Sequence, residues 1–389
     1  MPHASYPPLT VEQLSPASDR HHVDQVLAQF LDEARCRFAS NPHAQPLFDQ
    51  AAEFVLEGGK RIRPRLCLAS YRILTHRQEP PHPALNAASC FELFHAFMLV
   101  HDDLIDGSTL RRDGLALHEQ IRLSAIAPET GTGRKRAADL GLVAGDLLCA
   151  LGMRLLAQAG LSDAVYGRAS RLMSEILLET GVGQTLDIAF DIADLETLTE
   201  PQILDAYLRK TSRYSVSGPL VLGGILAGAS ERVIQALSQF GDLLGLGYQL
   251  QNDLDALEHD PTSGGDYPDL DGGKRTWVLW TAYQRLDDAG KRALQDALAD
   301  PVSLARRIRL FRLIQASGAI AAGRVRLQNW RNEAAASIRD ATLTPNQECS
   351  LLTLIELLPG RHATPSGAAA SMESAYIGPL VELAEKATA

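Results

Sequence analysis

Three carboxylates stand close together after an apolar segment, in the run HDDLID at residues 101–106. Read as a helix, this run places Asp102 and Asp106 four residues apart and Asp103 and Asp106 three apart, so the side chains crowd one helix end. Like charges repel, and the carboxyl end of a helix disfavours anions, so a positive partner is required. Magnesium, which binds through one or two carboxylates together with substrate phosphates, meets that requirement. The alternative is a solvated acidic turn.

Two neighbouring features favour the metal site over the acidic turn. Steps of three and four residues define one helix stripe, which carries Phe91, His95, Met98, Asp102 and Asp106. The acids therefore extend an apolar stripe instead of pointing away from the core. In addition, Arg111 and Arg112 follow within a few residues, and arginine grips diphosphate through paired hydrogen bonds. A salt-bridge network is the alternative role for these arginines.

A basic cluster lies upstream, in the run EGGKRIRPR at residues 57–65. Gly58 and Gly59 permit a close backbone approach. The run then places four cations within six residues, namely Lys60, Arg61, Arg63 and Arg65. Taken alone it would be a solvated basic turn. Beside an acidic metal site, a second anion pocket is the better interpretation.

Composition limits the classes of function that the chain can have. The 389 residues are 46% hydrophobic and 6% aromatic, and their abundant Ala and Leu favour an all-α fold. A formal net charge of −10 argues against nucleic-acid binding. Five scattered cysteines, with no CxxC pair, predict a reducing cytoplasmic location. The longest nearly apolar stretch, residues 218–229, is too short for a bilayer span, so we predict a soluble protein and not an integral membrane protein.

Helical periodicity and punctuation predict the organisation of the chain. Residues 1–21 are rich in Pro, Ser and His and are predicted to be a flexible arm. Apolar residues at helical spacing begin with Val23, Val26 and Leu27, and no interior linker separates two cores. We therefore predict one helical domain over residues 22–360, followed by a tail at 361–389.

Taken in order, these motifs resemble the trans-polyprenyl diphosphate synthase family, to which farnesyl and geranylgeranyl diphosphate synthases belong. The resemblance covers about residues 22–340. It is carried by GGKRIRP at 58–64, ELFHAF at 92–97, HDDLID at 101–106, AGDLL at 144–148, GQTLD at 183–187, KTSRYSVSGPL at 210–220, YQLQND at 248–253 and GGKRT at 272–276. It implies an all-α, isoprenoid synthase-type helical bundle around a central apolar cavity, two to three Mg²⁺ ions and a homodimer.

The resemblance also implies roles for individual residues. The isopentenyl diphosphate ligands would be Lys60, Arg63, His95 and Arg112, and the allylic diphosphate ligands would be Arg111, Lys210 and Lys274. The groups nearest the reacting carbon would be Lys210, Thr211 and Gln249. The metal ligands would be Asp102, Asp103, Asp106, Asn252 and Asp253. The implied reaction joins isopentenyl diphosphate to an allylic diphosphate, while cations between the two acidic helix ends grip the departing pyrophosphate.

The second acidic motif departs from the family pattern DDxxD. Residues 252–256 read NDLDA, so Asn252 replaces the leading aspartate and Ala256 the last one. Asp255 is shifted by one residue, which turns it about 100° around a helix. We expect weaker metal binding at this motif.

Bulk near the first aspartates is expected to set the product length. Phe97 and Met98 precede Asp102 by five and four residues, which is about 6–8 Å along a helix. This spacing predicts a C15 to C20 product, unless Phe97 merely packs the core. Two other functions stay open: a terpene cyclase on the same fold, which Asn252 favours slightly, and a catalytically impaired partner subunit of a prenyl synthase.

Overall fold

The computed structural model of the chain describes residues 7–111, 114–124, 132–257, 267–339 and 341–357. Helices dominate these ranges, within which the β-structure is a short antiparallel hairpin of β1 (Leu110–Arg111) and β2 (Gly114–Leu115). The predicted all-α class is confirmed.

The described residues separate into two compact units, whereas the sequence predicts one domain over residues 22–360. The amino-terminal unit contains residues 12–172 and 219–229, and the carboxyl-terminal unit contains the described residues of 7–11, 173–218 and 230–357. One continuous helix, α8 (Asp163–Asp191), carries the chain across residue 172, so no linker composition marks the change of unit. The predicted tail at 361–389 lies outside the described residues.

The amino-terminal unit is built mainly on two long helices that pack against each other, α5 and α7. Its helices are α1 (Val11–Leu14), α2 (Ala17–Phe38), α3 (Gln45–Leu56), α4 (Ile62–Thr75), α5 (His82–Asp106), α6 (Leu117–Leu123), α7 (Gly133–Ala157) and most of α10 (Gly218–Leu226). Buried side chains of α5, such as Phe91, Leu93 and Phe94, form the core of this unit.

Within the predicted flexible arm over residues 1–21, residues 11–14 and 17–21 are helical. Leu14 is fully buried, and Asp19 is buried where it accepts two hydrogen bonds, of 2.6 and 2.7 Å, from the Arg72 guanidinium. A buried carboxylate requires such a partner. Because Arg72 lies 53 residues further along the chain, local composition could not indicate this contact.

Two helices of the described residues, α5 and α7, are long and apolar enough to cross a membrane by length and composition alone. A search of the sequence for unbroken apolar stretches does not identify either helix. In their most apolar windows, 67% of α5 and 44% of α7 is buried inside the protein. Core helices of soluble proteins pass the same test, so the finding is weak support for a membrane span.

The carboxyl-terminal unit carries a second set of helices. They are the end of α8, α9 (Glu200–Tyr207), a π-helix (Leu208–Ser217), α11 (Glu231–Asp255), α12 (Pro268–Gly272), α13 (Trp277–Arg285), α14 (Asp288–Ala299), α15 (Leu304–Ser317), α16 (Ala319–Ser337), α17 (Pro345–Thr353) and a 3₁₀ turn (Leu354–Leu357). A core that includes Leu250, Trp277, Val278 and Trp330 joins α11, α13 and α16.

The π-helix is the unusual element of this unit, because such wide helical turns are rare and are found mostly at functional sites. Glycines let neighbouring helices approach it closely. A side-chain carbon added at Gly183 would lie 2.3 Å from the backbone nitrogen of Lys210, and one at Gly245 would lie 1.9 Å from Ser212 Oγ. A larger residue at either glycine would displace the segment that carries Lys210 and Thr211.

Candidate active site

The carboxyl end of α5 presents its three aspartates in different environments. Helix α5 ends at Gly107, whose left-handed backbone (φ 63°) stops the helix after Asp106. Asp106 is exposed, and the Asp102 side chain keeps 22% of its surface accessible. The Asp103 side chain is fully buried. Asp102 and Asp106 are therefore the accessible carboxylates of the first motif.

Asp103 is paired with Arg111, which lies on β1. Arg111 Nε donates a 2.7 Å hydrogen bond to Asp103 Oδ1, and Nη2 contacts the same oxygen, while Nη2 lies 3.6 Å from Asp102 Oδ2. Burial raises the pKa of Asp103, and the hydrogen bond from Arg111 opposes that shift. This geometry favours a structural role for Asp103, which the sequence reading grouped with the metal ligands.

The basic cluster divides into internal and accessible cations. Gly58 and Gly59 adopt a φ of 111°, a left-handed backbone that favours glycine, and lead into the turn before α4. Arg61 is buried, with Nε 2.7 Å from Asp24 Oδ1 and Nη1 2.9 Å from Glu92 Oε2. Arg61 is therefore committed to internal ion pairs, whereas Lys60 is exposed.

The other predicted isopentenyl diphosphate ligands lie on two packed helices. Arg63 is buried in the first turn of α4, and His95 is half-buried on α5, seven residues before Asp102. Seven residues are two helical turns, about 10 Å, so His95 and Asp102 share one face of α5. Arg112 lies outside the described residues.

Phe97 and Met98 are half-buried on α5, one turn before the aspartates. The Phe97 ring meets the His101 ring edge-on, with centroids 4.8 Å apart and planes at 72°. Phe97 thus has a packing contact, as expected if it packs the core instead of limiting the product length. Met98 lies one helical turn before Asp102.

In the carboxyl-terminal unit, three predicted residues form one hydrogen-bonded chain. The Thr211 hydroxyl donates to Gln249 Oε1 at 2.9 Å, and Gln249 Nε2 donates to Asp253 Oδ1 at 2.8 Å. The second oxygen, Oδ2, accepts a hydrogen bond from the Tyr207 hydroxyl. The π-helix and α11 pack together, which places Thr211 beside Gln249. The sequence reading missed Tyr207.

Two predicted lysines of this unit approach the same carboxylate. Lys210 Nζ donates a hydrogen bond to Asp187 Oδ2, and Lys274 Nζ lies 3.9 Å from that oxygen. Asp187 closes the GQTLD run, which the sequence reading quoted as a signature without giving Asp187 a role. Two ammonium groups at one acceptor create a local excess of positive charge that suits a diphosphate.

Residues 45–309 match the polyprenyl synthetase family. The chain belongs to this family. The geranylgeranyl diphosphate synthase of Sulfolobus acidocaldarius is 28% identical over 259 residues, which cover 65% of this chain and 72% of the relative. The geranylgeranyl diphosphate synthase of Methanosarcina mazei is 29% identical over 276 residues, which cover 69% of this chain and 76% of the relative. The family predicted from the motifs is confirmed.

Solved structures place the same fold on most of the chain. The geranylgeranyl pyrophosphate synthase of Corynebacterium glutamicum, in complex with isoprenyl diphosphate and magnesium, has a TM-score of 0.77 and 27% identity. The match covers 86% of this chain and 96% of that protein. The predicted isoprenoid synthase-type fold is therefore confirmed, and membership of the family supports a prenyltransferase that uses a divalent metal.

The donor atoms of the acidic motifs are of the kind that a magnesium ion takes. Among the described residues, no group of three or more His, Cys, Asp or Glu side chains has the arrangement of a metal cluster. Mg²⁺ does not need one, because it takes one or two carboxylates together with phosphate oxygens. Asn252 is buried, and its Oδ1 has no hydrogen-bond partner among the described residues. A buried carbonyl oxygen left without a donor is a suitable cation ligand.

The remaining acid of the second motif points to a neighbouring side chain. Asp255 is buried and accepts a 2.5 Å hydrogen bond from Gln251 Nε2. This contact agrees with the sequence argument that Asp255 is turned away from the position of a family aspartate. By contrast, Asp253 and Lys274 line one cavity of the carboxyl-terminal unit, together with Tyr267, Asp269 and Thr276.

Proposed function

We propose that the chain is a magnesium-dependent, short-chain trans-prenyltransferase that condenses isopentenyl diphosphate with an allylic diphosphate and releases pyrophosphate. The observation that carries this proposal is the approach of two lysines to one oxygen of Asp187: Lys210, which lies on the π-helix, and Lys274, which lies just before α13. This arrangement supplies preorganised positive charge where a diphosphate leaving group would gain negative charge.

The metal ligands that we propose are Asp102 and Asp106 in the amino-terminal unit and Asn252 and Asp253 in the carboxyl-terminal unit. Two to three Mg²⁺ ions would be held in total. A bound Mg²⁺ supplies Lewis-acid stabilisation of charge on the leaving oxygens. Asp103 is left out of this set because the Arg111 guanidinium already pairs with Oδ1 of its buried carboxylate, although its Oδ2, like Asn252 Oδ1, has no hydrogen-bond partner among the described residues.

The cationic side chains bind the two diphosphates. The ligands proposed for the allylic diphosphate are Lys210, Lys274 and Arg111. Thr211 and Gln249, as members of one hydrogen-bonded chain, present oxygen dipoles to the allylic cation. The ligands proposed for isopentenyl diphosphate are Lys60, Arg63, His95 and Arg112.

The bond changes of the proposed reaction balance without a side-chain base. The allylic carbon–oxygen bond breaks, pyrophosphate leaves, and the isopentenyl double bond attacks the allylic cation. A proton then leaves the new cation and goes to the departing pyrophosphate. Holding both substrates in place supplies much of the acceleration, and an apolar pocket must keep water from the cation.

One assay tests the reaction against its two rivals. Purified protein is incubated with Mg²⁺ and geranyl or farnesyl diphosphate, with and without isopentenyl diphosphate. We expect elongated products only when isopentenyl diphosphate is present. Hydrocarbon release without it would instead identify a terpene cyclase. Absence of turnover would identify a catalytically impaired partner subunit.

We propose that bulk at Phe97 and Met98 limits the product to C15–C20. The double variant Phe97→Ala, Met98→Ala is expected to lengthen the main product by at least one C5 unit, because it removes side chains one turn before Asp102. Product analysis by mass spectrometry measures this, with Phe38→Ala, an exposed aromatic on α2, as the control. An unchanged product distribution would assign Phe97 and Met98 to core packing.

The proposed homodimer is supported by an apolar stripe on the exposed side of the carboxyl-terminal part of α8. The stripe consists of four residues that are 41–89% exposed in the single chain: Leu178, Val182 and Ile188 on α8, and Ile192 just beyond its end. Exposed apolar stripes of this kind mark association surfaces. Sedimentation velocity is expected to give about twice the monomer mass, and Ile188→Glu should shift it toward monomer.

A cytoplasmic location stays a prediction.

A further inference from the structure

Tyr207 connects three elements of the carboxyl-terminal unit through one hydroxyl group. It is the last residue of α9, immediately before the π-helix. Its hydroxyl donates a hydrogen bond to Asp253 Oδ2 on α11 and accepts one from the Trp277 backbone N–H, at 2.7 Å, on α13. Both hydrogen-bonding functions of the hydroxyl are therefore used.

The bond to Trp277 satisfies a donor that the helix itself leaves open. Trp277 is the first residue of α13, and the first N–H groups of a helix have no intrahelical acceptor. The preceding residue, Thr276, accepts from the Leu279 N–H through its side chain, so it serves a different donor. Trp277 is 5% exposed, which excludes bulk water as a substitute for Tyr207.

The same contact reaches the segment that carries Lys274. Lys274 lies three residues before Trp277, and its backbone carbonyl accepts a 2.8 Å hydrogen bond from the Thr276 N–H. Its own N–H donates to the Asp269 carbonyl at 2.9 Å. The start of α13 and the backbone of Lys274 therefore form one short, hydrogen-bonded turn, and Tyr207 fixes the end of that turn to Asp253.

The direction of both hydrogen bonds follows from their partners. The Trp277 backbone N–H can only donate, so the Tyr207 oxygen accepts from it and the hydroxyl uses its own proton toward the Asp253 carboxylate. Because Gln249 holds the other oxygen, the Asp253 carboxylate is fixed at both of its atoms.

We propose that Tyr207 is a positioning residue that couples the acidic end of α11 to the lysine-bearing turn before α13. By fixing Asp253 and the Lys274 turn together, it makes the binding of Mg²⁺ and the binding of a diphosphate strengthen each other. This inference rests on the proposed function, since it takes Asp253 and Lys274 as ligands. Groups that orient metal ligands in this way typically change metal affinity 10- to 100-fold when removed.

The variant Tyr207→Phe tests the coupling, with Tyr283→Phe as the matched control. Tyr283 is also buried, but it lies six residues further along α13, where its ring contacts Lys291 instead of the acidic motif. Calorimetric titration with inorganic pyrophosphate is carried out over a series of Mg²⁺ concentrations. We expect the Mg²⁺ concentration for half-maximal pyrophosphate binding to rise roughly tenfold in Tyr207→Phe. In Tyr283→Phe it should stay unchanged.

A double variant separates positioning from a general loss of structure. If Tyr207 acts through Asp253, then Tyr207→Phe should add little to the effect of Asp253→Asn on Mg²⁺-dependent pyrophosphate binding. Wild-type Mg²⁺ dependence in Tyr207→Phe, or an effect that adds fully to that of Asp253→Asn, would overturn the proposal. A merely structural tyrosine would lower the melting temperature without changing the Mg²⁺ dependence.

Hydrogen exchange on the wild-type chain keeps the proposal testable should Tyr207→Phe fail to fold. Mg²⁺ and pyrophosphate together are expected to slow exchange of the Trp277 amide by about tenfold relative to either alone. Equal exchange rates under all three conditions would contradict the coupling. A wild-type chain that binds Mg²⁺ and pyrophosphate together but elongates no substrate would contradict the proposed function and leave the role of Tyr207 intact.

Discussion

The first acidic motif buries one aspartate, Asp103, and the second buries two, Asp253 and Asp255, and the hydrogen-bond donors to Asp103 and Asp253 differ in charge. In the amino-terminal unit, Asp103 is paired with the guanidinium of Arg111. In the carboxyl-terminal unit, Asp253 accepts hydrogen bonds from an amide, that of Gln249, and from the hydroxyl of Tyr207. These side-chain hydrogen bonds thus come from a charged guanidinium at Asp103 and from an amide and a hydroxyl at Asp253.

This difference determines how much negative charge each motif offers to a metal ion. Arg111 cancels the charge of Asp103, so the accessible Asp102 and Asp106 carry the first motif. The Gln249 amide and the Tyr207 hydroxyl that donate to Asp253 carry no net charge, and Asn252 adds only a carbonyl dipole. Under the proposed ligand set, two of the three aspartates of the first motif would bind metal, and Asp253 would be the ligand carboxylate of the second.

The largest effect is expected at the accessible pair of the first motif. Asp102→Asn and Asp106→Asn should each lower kcat by roughly 100-fold or more, because each removes charge that stabilises a forming pyrophosphate. Steady-state elongation assays over a Mg²⁺ series measure this, and chelator should abolish wild-type activity. Asp139→Asn, an exposed carboxylate on α7, is the control. Wild-type rates in both variants would remove the first motif from the metal site.

A large effect on stability, and not on metal binding, is expected at Asp103. Asp103→Asn should lower the free energy of unfolding by about 3 kcal/mol, because it leaves the Arg111 guanidinium without its buried counter-charge. Urea denaturation measures this change. The Mg²⁺ concentration for half-maximal activity should stay near the wild-type value. Unchanged stability with a strongly raised Mg²⁺ requirement would instead make Asp103 a metal ligand and end the contrast with Asp253.

An intermediate effect is expected when the second motif regains its family charge. Asn252→Asp should lower the Mg²⁺ concentration for half-maximal pyrophosphate binding roughly tenfold, since metal affinity rises with ligand charge. Without Mg²⁺ the variant should lose about 1 kcal/mol of stability, because a second buried carboxylate then lies beside Asp253. Calorimetry and thermal melts with and without Mg²⁺ measure both. If the melting temperature of the variant were the same with and without Mg²⁺, residue 252 would not be a metal ligand.

The smallest effect is expected at Asp242, a partly buried carboxylate that also lies on α11. Burial raises its pKa, the hydrogen bond with Ser217 opposes the shift, and Oδ1 lacks a hydrogen-bond partner within the described ranges. Because the folded pKa exceeds the unfolded value of about 3.9, the folded state binds more protons and stability falls as the pH rises. Asp242→Asn should therefore raise the melting temperature by ~2 °C at neutral pH.

The pH dependence of that gain provides its own check. The advantage of Asp242→Asn over wild type should shrink as the pH is lowered toward about 3.9, where the wild-type carboxyl becomes protonated in both states. Thermal melts between pH 4 and 8 measure it. An advantage that does not depend on pH would mean that it does not come from ionisation of Asp242, and a loss of stability at neutral pH would mean that Asp242 is stabilised as an anion.

Local patterns in the sequence determined the helical class, the family and the positions of the aspartates and lysines. These features depend on residue type and on spacings of three or four residues, which one helix fixes by itself. The Asp102–Asp106 pair at the end of α5 and the chain from Thr211 through Gln249 to Asp253 contain only residues that the sequence had already indicated.

Tertiary structure alone decided which charged groups are internal and which stay accessible. Arg61 and Lys60 are neighbouring cations of one basic run, and their types and spacing do not distinguish them. Of the two, Arg61 is buried, because Glu92, which lies 31 residues further along the chain, pairs with it. The partnership of Asp187 with Lys210, across 23 residues, and that of Tyr207 with Asp253, across 46 residues, have the same origin. Burying a polar group is costly without a partner, and that partner is supplied by packing between distant segments, which no local spacing records.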